Sequence, residues 1–107
     1  MKKLKLNTLE RLLMSAKFLL QQGGFIQMLT AEGIKGKVKF SPEELDELEL
    51  KDNPNGSVSW NYSKDREVEY EFTDSEVSIL KKSMEELDQN KQITNDILSI
   101  CIKVDKL

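Results

Sequence analysis

Three glutamates at alternate positions are the residues of this 107-residue chain whose types and spacing bear most directly on chemistry. Glu67, Glu69 and Glu71 are separated by Val68 and Tyr70, so a strand through this segment places all three carboxylates on one face. Neighbours on that face are about 6.6–6.8 Å apart, which is too wide for three carboxylates to converge on one metal ion. We therefore predict no metal site. A solvated edge strand is the simplest interpretation of this face, and Glu67, Glu69 and Glu71 are the candidate protein-binding face if the chain docks a partner there.

The groups that most enzymes use are missing from the sequence. It contains no histidine and one cysteine, Cys101, so it has no Ser–His or Cys–His pair, no structural zinc site and no internal disulfide. No phosphate-binding GxxxxGK[ST] or GxGxxG motif is present. We expect no catalytic residues and no cofactor, and therefore a protein that is not an enzyme.

Charge is distributed unevenly along the chain, whose formal net charge is −3. Residues 1–39 carry eight Lys or Arg and two Glu, giving +6, whereas residues 40–107 carry eight Lys or Arg and seventeen Asp or Glu, giving −9. The fold can either separate these charges into a basic end and an acidic face or pair them with each other. The basic residues of the first third are Lys2, Lys3, Lys5, Arg11, Lys17, Lys35, Lys37 and Lys39.

A first group of helices is predicted before residue 50. Asn7 and Glu10 form a capping box, and an apolar stripe follows at helical spacing until Gly23-Gly24. That stripe consists of Leu9, Leu12, Leu13, Ala16, Leu19 and Leu20. A short second helix covers residues 25–30, with Phe25, Met28 and Leu29 facing inward. Gly33 and Gly36 then indicate a loop, and residues 37–40 alternate like a short strand.

The strongest local signal is Ser41-Pro42-Glu43-Glu44, which combines a serine cap, a proline at the first helical position and a glutamate at the third. The helix that begins there is short and acidic, with Leu45 and Leu48 as its buried contacts.

An antiparallel hairpin is predicted for the middle of the chain. The two runs with period two are Val58, Trp60, Tyr62 and Val68, Tyr70, Phe72, with a turn over residues 63–66 between them. Within this pattern Trp60 and Tyr62 are expected in the core. A preceding turn is predicted over residues 51–56, which are rich in Asn, Pro and Gly.

Two helices complete the predicted fold. Thr73 caps a long helix that ends at Asn90, with Val77, Leu80, Met84 and Leu87 as its inner stripe, and Thr94 caps a last helix lined by Ile97, Leu98, Cys101 and Val104. Residues 105–107 are expected to fray. We therefore predict a single α+β domain over residues 1–107, with a small antiparallel hairpin or sheet packed against four to five helices. No segment reaches the roughly 20 apolar residues of a membrane span, so we expect a cytoplasmic protein of a bacterial host cell, without membrane association.

Three segments carry a resemblance to a known group. They are Val38-Lys39-Phe40-Ser41-Pro42-Glu43-Glu44, Val58-Ser59-Trp60-Asn61, and residues 80–94 with Leu87-Asp88 and Lys91-Gln92-Ile93-Thr94. In these segments the chain resembles short, uncharacterised proteins encoded by tailed bacteriophages and prophages of Gram-positive bacteria. The shared motifs are caps, a strand and a helix end, so the resemblance implies a phage or prophage origin and no particular activity.

The sequence therefore favours a small phage- or prophage-encoded protein that acts as a protein-binding accessory or host-interaction factor. We expect a protein partner of unknown identity, and a homodimer remains open. One alternative is a nucleic-acid-associated protein that uses the Lys-rich first third, although Arg11 and Arg66 are the only arginines. The other alternative is a virion assembly component, which would self-associate.

Overall fold

A computed structural model describes residues 2–107, which form five α-helices, a π-helical segment, a 3₁₀ turn and two separate two-stranded sheets. The elements follow the order β1 (Lys2–Leu6), α1 (Thr8–Leu13), the π-helical segment (Met14–Phe18), α2 (Phe25–Val38), α3 (Pro42–Leu48), β2 (Lys51–Asp52), β3 (Val58–Ser59), the 3₁₀ turn (Tyr62–Lys64), β4 (Val68–Phe72), α4 (Asp74–Gln89) and α5 (Asn95–Asp105). The predicted α+β class, with small antiparallel sheets against helices, is confirmed.

The central sheet joins the first strand of the chain to the fourth. β1 and β4 run antiparallel, with Lys2 opposite Phe72 and Leu6 opposite Val68. Leu4, Leu6 and Phe72 point into the core and are 4%, 0% and 0% exposed. The predicted hairpin between residues 58–62 and 68–72 is therefore wrong in its pairing. Alternation along a segment indicates that one face is buried, but it carries no information about which strand lies alongside.

The second sheet is a minimal hairpin outside that core. Lys51 pairs with Ser59 and Asp52 with Val58, and the predicted turn between them contains Gly56 at φ +84°, a conformation that glycine adopts without a Cβ clash. The strand ends at Ser59, and Tyr62 begins the 3₁₀ turn.

Tyr62 is 72% exposed, so the prediction that it is a core residue is wrong, whereas Trp60 is half-buried. The two rings contact each other in a tilted arrangement, with centroids 5.0 Å apart and an angle of 54° between the ring planes.

The first helix starts as predicted but buries a different face. The Asn7 side chain accepts the Glu10 N–H at 2.9 Å, and Glu10 Oε1 accepts the Asn7 N–H at 3.0 Å. The helix widens into the π-helical segment at Met14 and ends at Phe18, before the predicted stop at Gly23-Gly24.

The buried residues of α1 and the π-helical segment are Thr8, Glu10, Arg11, Met14 and Phe18. The predicted stripe is therefore wrong at Leu9, which is 40% exposed, and at Ala16, which is exposed. Leu19 and Leu20 are buried, but they lie beyond the helix end. Charged residues can replace leucine on the inner face here because each has an ionic partner nearby.

Helix α2 is the largest departure from the prediction. It is one helix of 14 residues that includes Gly33, Gly36 and the segment predicted as a strand. Ala31, Ile34 and Val38 are its buried residues and define the inner face of the helix. The large apolar side chains at the start of the helix lie on the opposite, solvent-facing side. Phe25 and Leu29 are therefore exposed, contrary to the prediction, while Met28 packs against the core as predicted. Each helical glycine costs about 1 kcal/mol relative to alanine, which the packing of the inner face offsets.

The predicted start of α3 is confirmed. The Ser41 hydroxyl accepts the Glu44 N–H at 3.2 Å, and Glu44 Oε1 accepts the Ser41 N–H at 3.0 Å. Leu48 is buried, whereas Leu45 is 38% exposed and contributes less than predicted.

Both C-terminal helices follow their predicted boundaries. Thr73 and Glu76 form the capping box of α4, Asn90 ends that helix, and α5 begins after Thr94. Leu80 is buried as predicted, and Val77, Met84 and Leu87 are half-buried. In α5 the predicted Ile97, Cys101 and Val104 are buried, but Leu98 is 46% exposed. Residues missed on the inner faces are Ile79, Ser83 and Ile100. Leu107 packs against the core, so the predicted frayed end is wrong there.

One apolar core joins these elements, with residues from β1, β4, the π-helical segment and α2, α4 and α5. Its fully buried large side chains include Leu6, Phe18, Ile34, Phe72 and Leu80. Across residues 2–107, none of the helices combines the length and the apolar character that crossing a bilayer requires.

Candidate functional site

Glu69 and Glu71 lie on the exposed face of β4, whereas Glu67 directly precedes the strand and is also exposed. In the register of the sheet, Lys5 lies opposite Glu69 and Lys3 lies opposite Glu71. Lys3 Nζ is 3.8 Å from Glu69 Oε1 and 3.9 Å from Glu71 Oε1. The face is therefore a ladder of alternating charges across two strands rather than a purely acidic patch. Its role in binding a partner stays a prediction.

Glu67 belongs to a tighter arrangement at the end of the same face. Lys103 Nζ, from α5, donates at 2.7 Å to Glu67, to the buried Glu10 carboxylate and to the Lys5 carbonyl. The hydrogen bond from Lys103 lowers the pKa of the Glu67 carboxyl. Burial opposes the charged form of Lys103, but the bonds to Glu10 and Glu67 outweigh it and raise the lysine pKa. This lysine ties α5 to β1, α1 and β4, which is a structural role.

The basic residues of the first third are dispersed and mostly paired. Five of the eight have an acidic partner within 4.0 Å in the described structure: Lys3, Arg11, Lys17, Lys35 and Lys37. Apart from Glu32, all of these partners belong to the acidic part of the sequence: Glu44, Glu69, Glu71, Glu76 and Asp96. Folding therefore pairs the two charged halves with each other, which is one of the two outcomes the sequence left open.

Arg11 is the most extensively bonded of these basic side chains. Its guanidinium donates to Glu44 at 2.6 and 3.1 Å, to the Val38 carbonyl at 3.1 Å and to the Lys39 carbonyl at 3.0 Å. It also lies 3.9 Å from the centre of the Phe40 ring. The hydrogen bond from Arg11 is the main cause that lowers the pKa of Glu44 to about 2. Arg11 thus holds the end of α2 and the start of α3 against α1.

A groove lies beside this arginine, between α1 with its π-helical segment and the second half of α2. We call it the Gly36 groove, and its volume is about 470 Å³, within the range of pockets that receive ligands or side chains. Its apolar lining comes from Leu12, Gly36, Val38 and Phe40, and its polar lining from Arg11, Ser15, Glu32, Lys35 and Lys39. Because the Arg11 guanidinium is already paired with Glu44, a group that binds in the groove would mainly contact its apolar residues.

A second feature is an exposed apolar surface at the other end of α2. Phe25 is 77% exposed, Ile26 is 70% exposed and Leu29 is 53% exposed, and helical geometry brings the three side chains close together. We call this surface the apolar end of α2. Residues 18–31 contain no charged side chain, although 33% of the chain is charged. A helix face that is both apolar and free of charge is typical of the core of a protein interface.

The sequence reasoning missed this surface because it placed Phe25 and Leu29 in the core. The signal that could have found it is the spacing of Ala31, Ile34 and Val38, which fixes the inner face once residues 25–38 are taken as one helix. A smaller exposed pair, Leu98 and Ile102, lies on α5 at 46% and 49% exposure. That pair lacks the charge-free surroundings of the apolar end of α2.

The comparisons with known proteins gave no relative. No family model, no curated protein and no solved structure matches the chain.

Metal and redox chemistry find no support in the described geometry. Residues 2–107 contain no group of three or more Cys, Asp or Glu arranged to hold a metal ion. The Cys101 thiol is buried, and burial raises its pKa, so it is a core side chain with little thiolate character. The surfaces that stand out are therefore the apolar end of α2 and the Gly36 groove.

Proposed function

We propose that this protein is a protein-binding accessory factor and that the apolar end of α2 is its contact surface. The observation that carries the proposal is the exposure of Phe25, Ile26 and Leu29 together on one helical face. Isolated exposed apolar residues are ordinary, but three large exposed neighbours within a segment of 14 uncharged residues, 18–31, are not.

The free energy of covering this surface supports the proposal. Burying a Phe, Ile or Leu side chain from water is worth about 1.5–3 kcal/mol when the side chain starts fully exposed. Phe25 and Ile26 are 77% and 70% exposed, so a partner that covers them gains most of that amount. A small cluster of this kind can supply the central anchor of an interface whose rim is polar.

The ladder of Glu67, Glu69 and Glu71 is a weaker candidate for the contact. Its carboxylates have lysine neighbours at 2.7–3.9 Å, so a basic partner would have to compete with Lys3 and Lys103. Exposed ion pairs contribute little binding energy in water.

The resemblance to proteins of phages and prophages supports a host-interaction role, in which the partner is a bacterial protein. An assembly role in the virion is the second candidate, and the complementary surfaces of α2 described below favour it. The paired lysines of the first third give nucleic-acid binding less support.

The test is an affinity capture with immobilised protein from a nuclease-treated lysate of a Gram-positive bacterium. Wild type is compared with the double variant Phe25→Ser/Leu29→Ser, and the matched control is Leu98→Ser/Ile102→Ser, which removes a similar exposed pair from α5. Any captured protein is identified, purified and titrated calorimetrically. We expect binding at least tenfold weaker for the α2 variant and unchanged for the α5 control.

A third variant, Glu67→Lys/Glu69→Lys/Glu71→Lys, tests the β4 face in the same titration. If it abolishes binding while the α2 variant binds normally, the contact surface is the β4 face and the proposal is wrong about α2. If no purified protein, including the chain itself, distinguishes wild type from the α2 variant, the proposed function is wrong.

A further inference from the structure

The exposed face of α2 has two dissimilar halves. Phe25, Leu29, Glu32 and Gly36 succeed one another at spacings of four, three and four, which places them on a single line along the helix. The first half of this line carries large apolar side chains, and the second half ends in a glycine beside the Gly36 groove. Ile26 and Gly33 lie beside this line, seven residues apart, and show the same contrast between a large side chain and none.

The glycines of the second half are not required by the packing of the chain itself. A Cβ built on Gly36 meets no atom within 4 Å, and one built on Gly33 meets only Glu76 Oε2 at 3.9 Å. Alanine would fit at both positions and would favour the helix. Their absent side chains leave the backbone of α2 open to close approach from outside, next to an apolar groove.

A two-fold axis across the middle of α2 brings the two halves together. Phe25 and Gly36 lie about 16 Å apart along the helix at 1.5 Å per residue. When two copies of α2 pack antiparallel with Phe25 of one copy opposite Gly36 of the other, Leu29 lies opposite Glu32. Phe25, the most exposed of the large side chains, therefore meets a position without a side chain, and the same contact occurs twice.

We propose that the partner of the apolar end of α2 is a second copy of this chain, packed antiparallel along α2, with Phe25 of each copy in the Gly36 groove of the other. This inference rests on the proposed function and names the occupant of the same surface. The groove volume of about 470 Å³ is ample for a phenyl ring, and Leu12, Val38 and Phe40 give it apolar contacts.

The charges along this contact are compatible with a second copy. Glu32 is the only charged residue on the line, and its carboxylate is 3.3 Å from Lys35 Nζ of the same helix. Leu29 of one copy lies opposite this Glu32, whose carboxylate keeps Lys35 as its partner, and antiparallel helices oppose their dipoles favourably. One helix pair lies at the small end of protein interfaces, so we expect a dissociation constant of about 1–100 µM.

The experiment is sedimentation equilibrium from about 1 to 500 µM for wild type, Phe25→Ser and Gly36→Leu. Wild type is expected to rise from the monomer mass of 12.3 kDa towards the dimer mass with increasing concentration. Both variants are expected to dimerise at least tenfold more weakly than wild type. Phe25→Ser removes the ring that fills the Gly36 groove, and Gly36→Leu places a side chain in that groove. Far-ultraviolet circular dichroism and thermal unfolding verify that both variants are folded. The α5 variant Leu98→Ser/Ile102→Ser is the control and dimerises like wild type.

A mixture of the two variants supplies the sharper readout. A heterodimer of Phe25→Ser with Gly36→Leu retains one intact contact, between Phe25 of the second variant and Gly36 of the first. The opposite contact pairs Ser with Leu and has no clash. We therefore expect the equimolar mixture to dimerise more tightly than either variant alone, an effect that a merely destabilised fold would not produce.

Three outcomes overturn the second copy as partner: wild type that stays monomeric at 500 µM, Gly36→Leu that dimerises like wild type, or a mixture no tighter than its components. If a foreign protein still binds in a manner that depends on Phe25, the proposed function stands and only the identity of the partner is wrong. If nothing binds in that manner, both proposals are wrong.

Discussion

Arg11 has a charge but belongs to the core of this protein. Its side chain is 3% exposed and donates four hydrogen bonds, two to Glu44 and two to backbone carbonyls at the end of α2. Arg11 does not belong to the predicted apolar stripe of its helix. The local sequence cannot reveal its burial, because the Glu44 carboxylate that compensates the buried charge lies 33 residues further along the chain.

Replacing Arg11 tests this role. Arg11→Ala leaves Glu44 without its partner and two carbonyls without donors, so we expect a loss of about 3 kcal/mol in the free energy of unfolding at pH 7, measured by urea titration. Arg11→Lys is expected to lose only part of this stability, because an ammonium group cannot make the two parallel hydrogen bonds that the guanidinium donates to Glu44. The control is Lys17→Ala, which removes an exposed ion pair with Asp96 and should change stability little.

The acid side of the stability curve tests the same pair. The folded pKa of Glu44 is about 2, below its ordinary value of 4.5, so the pair stabilises the fold fully above pH 4.5 and loses its effect as the pH falls towards 2. The difference in unfolding free energy between wild type and Glu44→Gln is therefore expected to stay constant from pH 7 to about pH 5. It should shrink between about pH 4.5 and pH 2. A difference that grows on acidification would contradict this assignment.

At the scale of elements, local signals were reliable and long-range ones were not. The capping boxes at Asn7, Ser41 and Thr73 were predictable because each is completed within four residues. The partner of β4 was not predictable, because it is 62 to 70 positions away in β1, and the alternating pattern fits any neighbour. The full length of α2 was missed because Gly33 and Gly36 indicate a loop when only local preference is considered.

The strand β1 provides a direct test of the observed pairing. Leu6 is 0% exposed whereas Leu9, three residues later, is 40% exposed. Leu6→Ala is expected to lower the free energy of unfolding by about 2–4 kcal/mol, and Leu9→Ala by well under 1 kcal/mol. Denaturant unfolding monitored by circular dichroism measures both. Equal effects at the two positions would show that the N-terminal segment does not pack as a strand.

At the scale of the whole molecule, folding brings the basic first third of the sequence into contact with the acidic remainder, so opposite charges are interspersed over the surface. Lysines of β1, the π-helical segment and α2 are paired with carboxylates of β4, α4 and α5. The sequence could place Glu67, Glu69 and Glu71 on one face, but their lysine neighbours depended on the pairing of β1 with β4. The apolar end of α2 was missed for a related reason, since only the tertiary packing of α2 decides which of its apolar residues remain outside.

This distribution predicts that the protein does not bind DNA through its Lys-rich first third. We expect no gel shift with a 30-base-pair duplex at 50 mM salt and protein concentrations up to about 10 µM. The control is Glu67→Lys/Glu69→Lys/Glu71→Lys, whose added positive charge should produce a weak shift that salt removes. A wild-type shift that weakens steeply with salt would restore the nucleic-acid hypothesis.

The pairing of β1 with β4 also has a consequence for how the protein is made on the ribosome. Leu4 and Leu6 leave the exit tunnel more than 60 residues before their partners in β4, and the α5 side chains of the same core follow later still. The first 67 residues do not contain the partner strand of the central sheet, so β1 remains unpaired while α1 to α3 are synthesised. Folding of this core is therefore expected only after Val104 has emerged, and until then the apolar residues of β1 remain accessible to chaperones.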